Sequence, residues 1–163
     1  MLITGGAGFI DSHLADHLIE NGHSVAIVDN DSTGGKEMFR PERGTLRLMS
    51  AVSAGYMGRL RTASMRSLIS LAHVSLIGPL RNRCANLHTN AHGTVNVLQL
   101  CLRYSVPRLL YASSMTAYGR SGVSPTLEET PCEPISHYAI TKYPGERYVR
   151  ATPNVQSWTS IFA

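Results

Sequence analysis

The sequence predicts an α/β fold, a parallel sheet covered by helices on both faces in a three-layer sandwich. Three observations predict it. A short apolar run, Leu2-Ile3-Thr4, breaks into Gly5-Gly6-Ala7-Gly8, and a helical stripe of Leu14, Leu18 and Ile19 follows. Ser24-Val25-Ala26-Ile27-Val28 then reads as a buried strand. Strand, glycine turn, helix and strand within about 30 residues make a βαβ unit, the building block of parallel sheets. The alternation of helix and strand signals resumes after Asn90.

Each element has its own signal. Asn21-Gly22 closes the first helix as a C-cap, and Asp29-Asn30 stands at the carboxyl end of the second strand. Residues 35–87 show no clean period; Ser67 to Val74 fits either a strand or a buried helical turn. Ala91, Val95, Leu98 and Leu102 share one helical face, and Arg108 to Ser114 reads as a strand with a polar end. Residues 119–136 are rich in Gly, Ser, Pro, Glu and Thr and read as a loop, followed by a helix from Ser136 to Arg150.

Length and composition set the bounds. A chain of 163 residues is one domain, able to bury roughly 70% of its unfolded surface without metal or disulfide. No stretch is long and apolar enough to span a membrane. The opening Met1-Leu2-Ile3-Thr4-Gly5 has no secretory leader pattern, so the expected location is cytoplasmic. Cys84, Cys101 and Cys132 are widely spaced and form neither a disulfide framework nor a metal cluster. The seven histidines likewise lack metal-ligand spacing, and no metal is expected. The net charge is +4, and no Asp or Glu occurs between Glu42 and Glu128, while Arg43, Arg47, Arg59, Arg61, Arg66, Arg81 and Arg83 fall there. Such a stretch invites a nucleic-acid reading. No zinc-finger, RNP or helix-turn-helix signature accompanies it, so no nucleic-acid partner is expected.

The glycine turn carries the first functional signal. Glycines let the backbone approach a pyrophosphate seated on the following helix N-terminus. The context fits a Rossmann-type, doubly wound sheet: a strand before, a helix after, and Asp29 ending the next strand. Asp29 can accept hydrogen bonds from an adenosine ribose and would repel a 2′-phosphate, which favours NAD over NADP. NAD is expected to lie over Gly5, Gly8, Phe9 and Ile10. Asp11 stands where the dinucleotide pattern has its third glycine. An ionised carboxylate ~5 Å from the anion site, at an effective dielectric of about 20, repels a unit charge by roughly 3 kcal/mol. That is about a hundredfold in affinity. The alternative role for Asp11 is to cap the helix.

The second signal is Tyr138 and Lys142, four residues apart and so on one helical face. A phenol with a pKa near 10 is a poor base at pH 7; a neighbouring ammonium favours the phenolate. Ser113-Ser114 ends a strand at the edge where α/β sheets place ligands, and a hydroxyl there can orient a proton transfer.

Together these segments resemble the extended short-chain dehydrogenase/reductases, the NAD-dependent epimerase/dehydratase family, and most closely its UDP-glucose 4-epimerase-like members. Ile3 to Leu14 apart from Asp11, Val28 to Gly34, Asn90 to Leu98 and Tyr111 to Val149 carry the resemblance. It implies that Tyr138 is the catalytic base, Lys142 holds the nicotinamide ribose and lowers the tyrosine pKa, and Ser114 is the active-site serine. It further implies cofactor contacts from Asn30, Ser32, Thr33, Gly34, Asn90 and Lys142. Met115-Thr116 follow Ser114 where dehydratase members carry Asp-Glu, which favours epimerase chemistry on a nucleotide-sugar, in particular a UDP-sugar. A homodimer is a possible assembly.

The resemblance also implies departures. Residues 1–150 are expected to form the NAD-binding domain, with 35–72 divergent and poorly packed. Residues 151–163 are expected to be an unmatched tail, and a C-terminal substrate domain is missing relative to the family. Pro144 inside the Tyr–Lys helix removes a hydrogen bond and costs about 3 kcal/mol. The alternative function is a non-catalytic dinucleotide-binding module or fragment.

Overall fold

The computed structural model describes residues 1–29, 46–49, 68–70, 83–120, 122 and 124–162. Its elements are β1 (Leu2–Thr4), α1 (Phe9–Glu20), β2 (Ala26–Asp29), β3 (Leu46–Met49) and β4 (Leu68–Ser70). There follow α2 (Arg83–Leu87), a π turn (His88–His92), α3 (Gly93–Arg103), β5 (Arg108–Ser114), a 3₁₀ turn (Met115–Tyr118), α4 (His137–Ala151) and β6 (Gln156–Phe162). The six strands form one sheet in the order β3-β2-β1-β4-β5-β6. Every pairing is parallel. This is the Rossmann strand order, with the chain reversing direction across the sheet between β1 and β4. Ligands of such sheets bind at the carboxyl ends of strands beside that reversal.

Strand side chains alternate between the two faces, and the core divides accordingly. Leu2 of β1 with Leu109 and Tyr111 of β5 packs against Val97, Leu98 and Cys101 of α3 and Val149 of α4. Ile3 of β1, Ile27 of β2 and Ala112 of β5 pack on the opposite face with Ala15, Leu14 and Leu18 of α1. Two apolar layers on two faces of one sheet are the three-layer sandwich that the alternation of elements predicts.

Helix α4 is set up by Ser136, whose Oγ accepts a hydrogen bond of 3.1 Å from the Ala139 N–H. The helix runs through Pro144 to Ala151. Ala139, Lys142, Gly145 and Val149 are buried along one face, and Val149, fully buried in the core, contributes about 1.5–3 kcal/mol against the lost backbone hydrogen bond.

Two segments with weak sequence signals join the sheet. Within residues 151–163, read from the sequence as an unmatched tail, 156–162 form β6, in register with β5 from Arg108↔Gln156 to Ser114↔Phe162. The turn at Asn154, with φ of 62°, releases the chain into Gln-Ser-Trp-Thr-Ser-Ile-Phe, a segment rich in strand-forming residue types. Within residues 35–72, 46–49 and 68–70 join the sheet as β3 and β4, and the ambiguous run from Ser67 thus contributes a strand. The remainder of 35–72 lies outside the described residues. So does most of the arginine-rich stretch.

Leu109 is fully buried and Leu102 is 48% exposed, so the two leucines separate core packing from surface chemistry. Leu109→Ala should lower the unfolding free energy by about 2–5 kcal/mol and Leu102→Ala by less than about 0.5 kcal/mol, measured by urea denaturation. Equal losses would contradict the placement of β5 at the core.

Candidate cofactor and active site

The glycine loop is built by backbone geometry. Gly5 has φ of 76°, a left-handed conformation that favours glycine, and its N–H donates to the Val28 carbonyl at 2.7 Å. Gly8 closes the turn by donating to the Gly5 carbonyl at 2.9 Å. A Cβ on Gly6 would overlap the Ile27 side chain, so Gly6 is what lets the loop lie against β2. The doublet Gly5-Gly6 was its only sequence signal, and Gly6 is absent from the sequence-predicted site. Asp29 completes the loop: its Oδ2 accepts from the Ala7 N–H at 2.8 Å. Helix α1 begins at Phe9 with Gly8 as N-cap and no side chain capping it. No side chain at the N-cap answers the first N–H groups of the helix, the arrangement that receives anions, although the Asp11 carboxyl reaches a backbone N–H in the first turn. The Phe9 and Ile10 side chains are exposed beside it.

Asp11 is not the helix cap, because Gly8 is. It is buried, at 5% exposure, with Oδ2 3.3 Å from where a Cβ of Gly8 would stand. Its Oδ1 has no hydrogen-bond partner. Burial first, then repulsion from Asp29, pushes its carboxyl up to about 8, against a backbone hydrogen bond and the attraction of Lys142. At neutral pH Asp11 is therefore largely protonated, and the repulsion expected from the sequence belongs to the ionised form only.

The second cluster hangs from β5 and α4. Ser114 ends β5; its Oγ lies 2.9 Å from Thr116 Oγ1 and accepts from the Thr116 N–H at 3.3 Å. Tyr138 stands on the first turn of α4, its phenol near enough to the Ser114 side chain to be influenced by it. The phenol is shifted upward by burial, and the nearby Ser114 side chain opposes that shift. Lys142 is not among the groups that shift the Tyr138 phenol. Lys142 is 1% exposed, and its Nζ lies 4.9 Å from the centre of the Tyr111 ring. Burial lowers it to about 8, with Asp11 pulling the other way.

Supporting contacts hold α4 in place. Tyr111 donates its hydroxyl to the Lys142 carbonyl at 3.0 Å, and a Cβ on Gly145 would overlap that hydroxyl. Ser113 donates to Glu146 at 2.7 Å, and Glu146 pairs with Arg150 at 2.8 Å. Asn90 is fully buried in the π turn, a distortion that recurs at functional sites. Its Nδ2 donates to Thr141 Oγ1 at 2.9 Å, while Oδ1 has no partner. The structure thus brings Ser114, Tyr138, Lys142 and Asn90 to one region and Gly5, Gly8, Phe9, Ile10 and Asp29 to another. Asp11 couples the two electrostatically. Asn30, Ser32, Thr33 and Gly34 lie outside the described residues. Thr116, Tyr111 and Gly145 were not singled out as site residues; only the Gly and Tyr residue types hinted at close packing.

Asp11 carries a stability signature. A folded-state pKa raised from 3.8 to about 8 means the folded chain binds the extra proton between those values. Stability is therefore lost as pH rises from about 4 through about 8. Relative to Asp11→Asn, the wild type should lose stability across that window, toward a ceiling of about 5 kcal/mol set by the four-unit rise. Denaturant unfolding at pH 5 and pH 8 measures it; a gap that does not change with pH would contradict the burial of Asp11.

Comparison with known proteins places the chain in a family. The profile of the NAD dependent epimerase/dehydratase family matches residues 1–158. The chain is 32% identical over 152 residues to a putative UDP-glucose 4-epimerase of Methanocaldococcus jannaschii, covering 92% of this chain and 50% of that protein. The UDP-glucose 4-epimerase of Thermotoga maritima, solved with UDP-glucose, superposes with a TM-score of 0.87 at 33% identity, over 97% of this chain and 53% of that one. The Bordetella bronchiseptica enzyme WbmG, solved with NAD and UDP, does so with a TM-score of 0.86 at 28% identity, over 97% and 51%. The chain spans about half the length of these relatives. It belongs to the NAD dependent epimerase/dehydratase family.

Proposed function

We propose that this chain is the dinucleotide-binding and proton-transfer half of an NAD-dependent epimerase acting on a UDP-sugar, working in the cytoplasm. The observation that carries the reading is the placement of Tyr138 on the first turn of α4, its phenol within electrostatic influence of Ser114 at the carboxyl end of β5, with Lys142 one helical turn behind Tyr138. The glycine loop supports NAD: Gly5 in a left-handed turn, Gly6 against Ile27, and an α1 N-terminus free of a side-chain cap. The pyrophosphate would rest on the loop over Gly5 to Ile10, and Asp29 would meet the adenosine ribose. Three unpaired cysteines suit a reducing compartment. No helix among the described residues is long and apolar enough to cross a membrane.

When bound, NAD takes a hydride from a sugar carbon and returns it. Tyr138 as phenolate accepts the proton of the hydroxyl on that carbon, and Ser114 holds the hydroxyl oxygen by hydrogen bonding. As the hydroxyl is oxidised, Tyr138 would hold the proton released from its oxygen while Ser114 would keep that oxygen in place. On the return, with the other face of the sugar presented, the same two groups would give the proton back to the carbonyl oxygen. The upward shift of Tyr138 by burial calls for a cation near the phenol in the working state. Lys142 and the positive nicotinamide ring both provide one. Glycine-loop binding without Tyr138 chemistry is the second reading, a non-catalytic module.

Removing the phenol oxygen separates the two. With NAD and UDP-glucose supplied, UDP-galactose formation should fall about 10²–10⁴-fold in Tyr138→Phe, while NAD binding changes less than about twofold. Full activity in Tyr138→Phe would sink the catalytic role of the tyrosine. NAD binding with no turnover by the wild type, alone or with the remaining half of a full-length relative supplied in trans, would favour the module.

A further inference from the structure

Asp11 is a buried carboxyl inserted under an anion-binding loop, at a position where the dinucleotide pattern calls for glycine. Its Oδ1 has no hydrogen-bond partner, an expensive state for an ionised group and a tolerable one for a neutral acid. Its Oδ2 lies against Gly8, the residue that opens α1. Two charged groups from other elements face it, Asp29 of β2 and Lys142 of α4. Asp29 adds a second negative charge beside the same loop, while Lys142 is the only cation acting on Asp11 among the described residues. A pyrophosphate arriving at the loop would stand close to both acids.

We propose that Asp11 makes dinucleotide capture by this chain proton-linked: the glycine loop accepts a pyrophosphate while Asp11 carries its proton and rejects one when Asp11 is ionised. The inference rests on the dinucleotide reading and adds to it a property that the glycine-bearing pattern lacks. A loop with glycine at this position has no group there to titrate. The raised pKa, about 8, places the switch within reach of ordinary experiments. Between pH 7 and pH 9 the protonated fraction falls about tenfold for such a midpoint, and affinity falls with it.

ADP is the informative probe. It carries the adenosine and the pyrophosphate and lacks the nicotinamide half, so it reports on the loop without the nicotinamide ribose that Lys142 is proposed to hold. Calorimetric titration of ADP at pH 7 and pH 9 is made on the wild type, Asp11→Asn and Asp11→Gly, with far-ultraviolet circular dichroism confirming the fold of each. The wild type should weaken about tenfold, and both variants should change less than about twofold beyond any change in the ADP itself. Proton uptake on binding, read from buffers of different ionisation enthalpy, should appear near pH 8 in the wild type and vanish in both variants. A flat wild-type profile, or variants that weaken as steeply as the wild type, overturns the role of Asp11 and leaves the dinucleotide reading standing. If neither wild type nor variants bind ADP at any pH, both fall together.

Discussion

The site is organised around a buried ammonium. Lys142 is 1% exposed, and taking a lysine out of water costs several kcal/mol unless the surroundings answer the charge. Here the answer is assembled from three elements. The face of Tyr111 on β5 lies under Nζ, Asp11 on α1 attracts the ammonium once it ionises, and α4 itself is fixed to β5 by Tyr111 and Ser113. Gly145 is glycine because the Tyr111 hydroxyl occupies the space of its Cβ. The position of the lysine, and with it the phase of α4 that turns Tyr138 toward Ser114, follows from these contacts.

The glycine loop meets a different constraint, the close approach of backbone to strand. Gly6 against Ile27 and the Ala7–Asp29 hydrogen bond draw the loop onto the end of β2. That leaves the start of α1 facing the edge where β5 presents Ser114. The acid that links the loop to α4 is Asp11. Its upward shift and the downward shift of Lys142 are two sides of one fact: both groups are buried, and each only partly compensates the other.

Legibility in the sequence followed the strength of the local signal. β1, α1, β2, β5 and α4 were readable because apolar runs end in Gly, Asp or Ser and because Tyr138 and Lys142 sit on one helical turn. β3 and β4 were not, since three or four residues embedded among arginines and serines carry no period; only pairing with β2, β1 and β5 makes them strands. β6 was missed because its seven residues mix Ser, Thr and Gln with Trp, Ile and Phe, and its identity comes from the free edge of β5. Asp11 stood out as an irregular residue. Its depth, and therefore its protonation, is a tertiary property that spacing cannot reveal. The same holds for the position of Lys142 over the Tyr111 ring.

The central claim is that Lys142 is a buried cation coupled to Asp11, and its ionisation can be observed directly. The chain has only two lysines, Lys36 and Lys142, so the side-chain resonances of isotope-labelled lysine can be assigned from a single Lys36→Arg variant. Titrated by NMR, Lys142 should lose its proton near pH 8, and in Asp11→Asn the midpoint should move lower, because the attraction that raises it is gone. A midpoint at the ordinary lysine value near 10.4, unmoved by Asp11→Asn, would contradict the account.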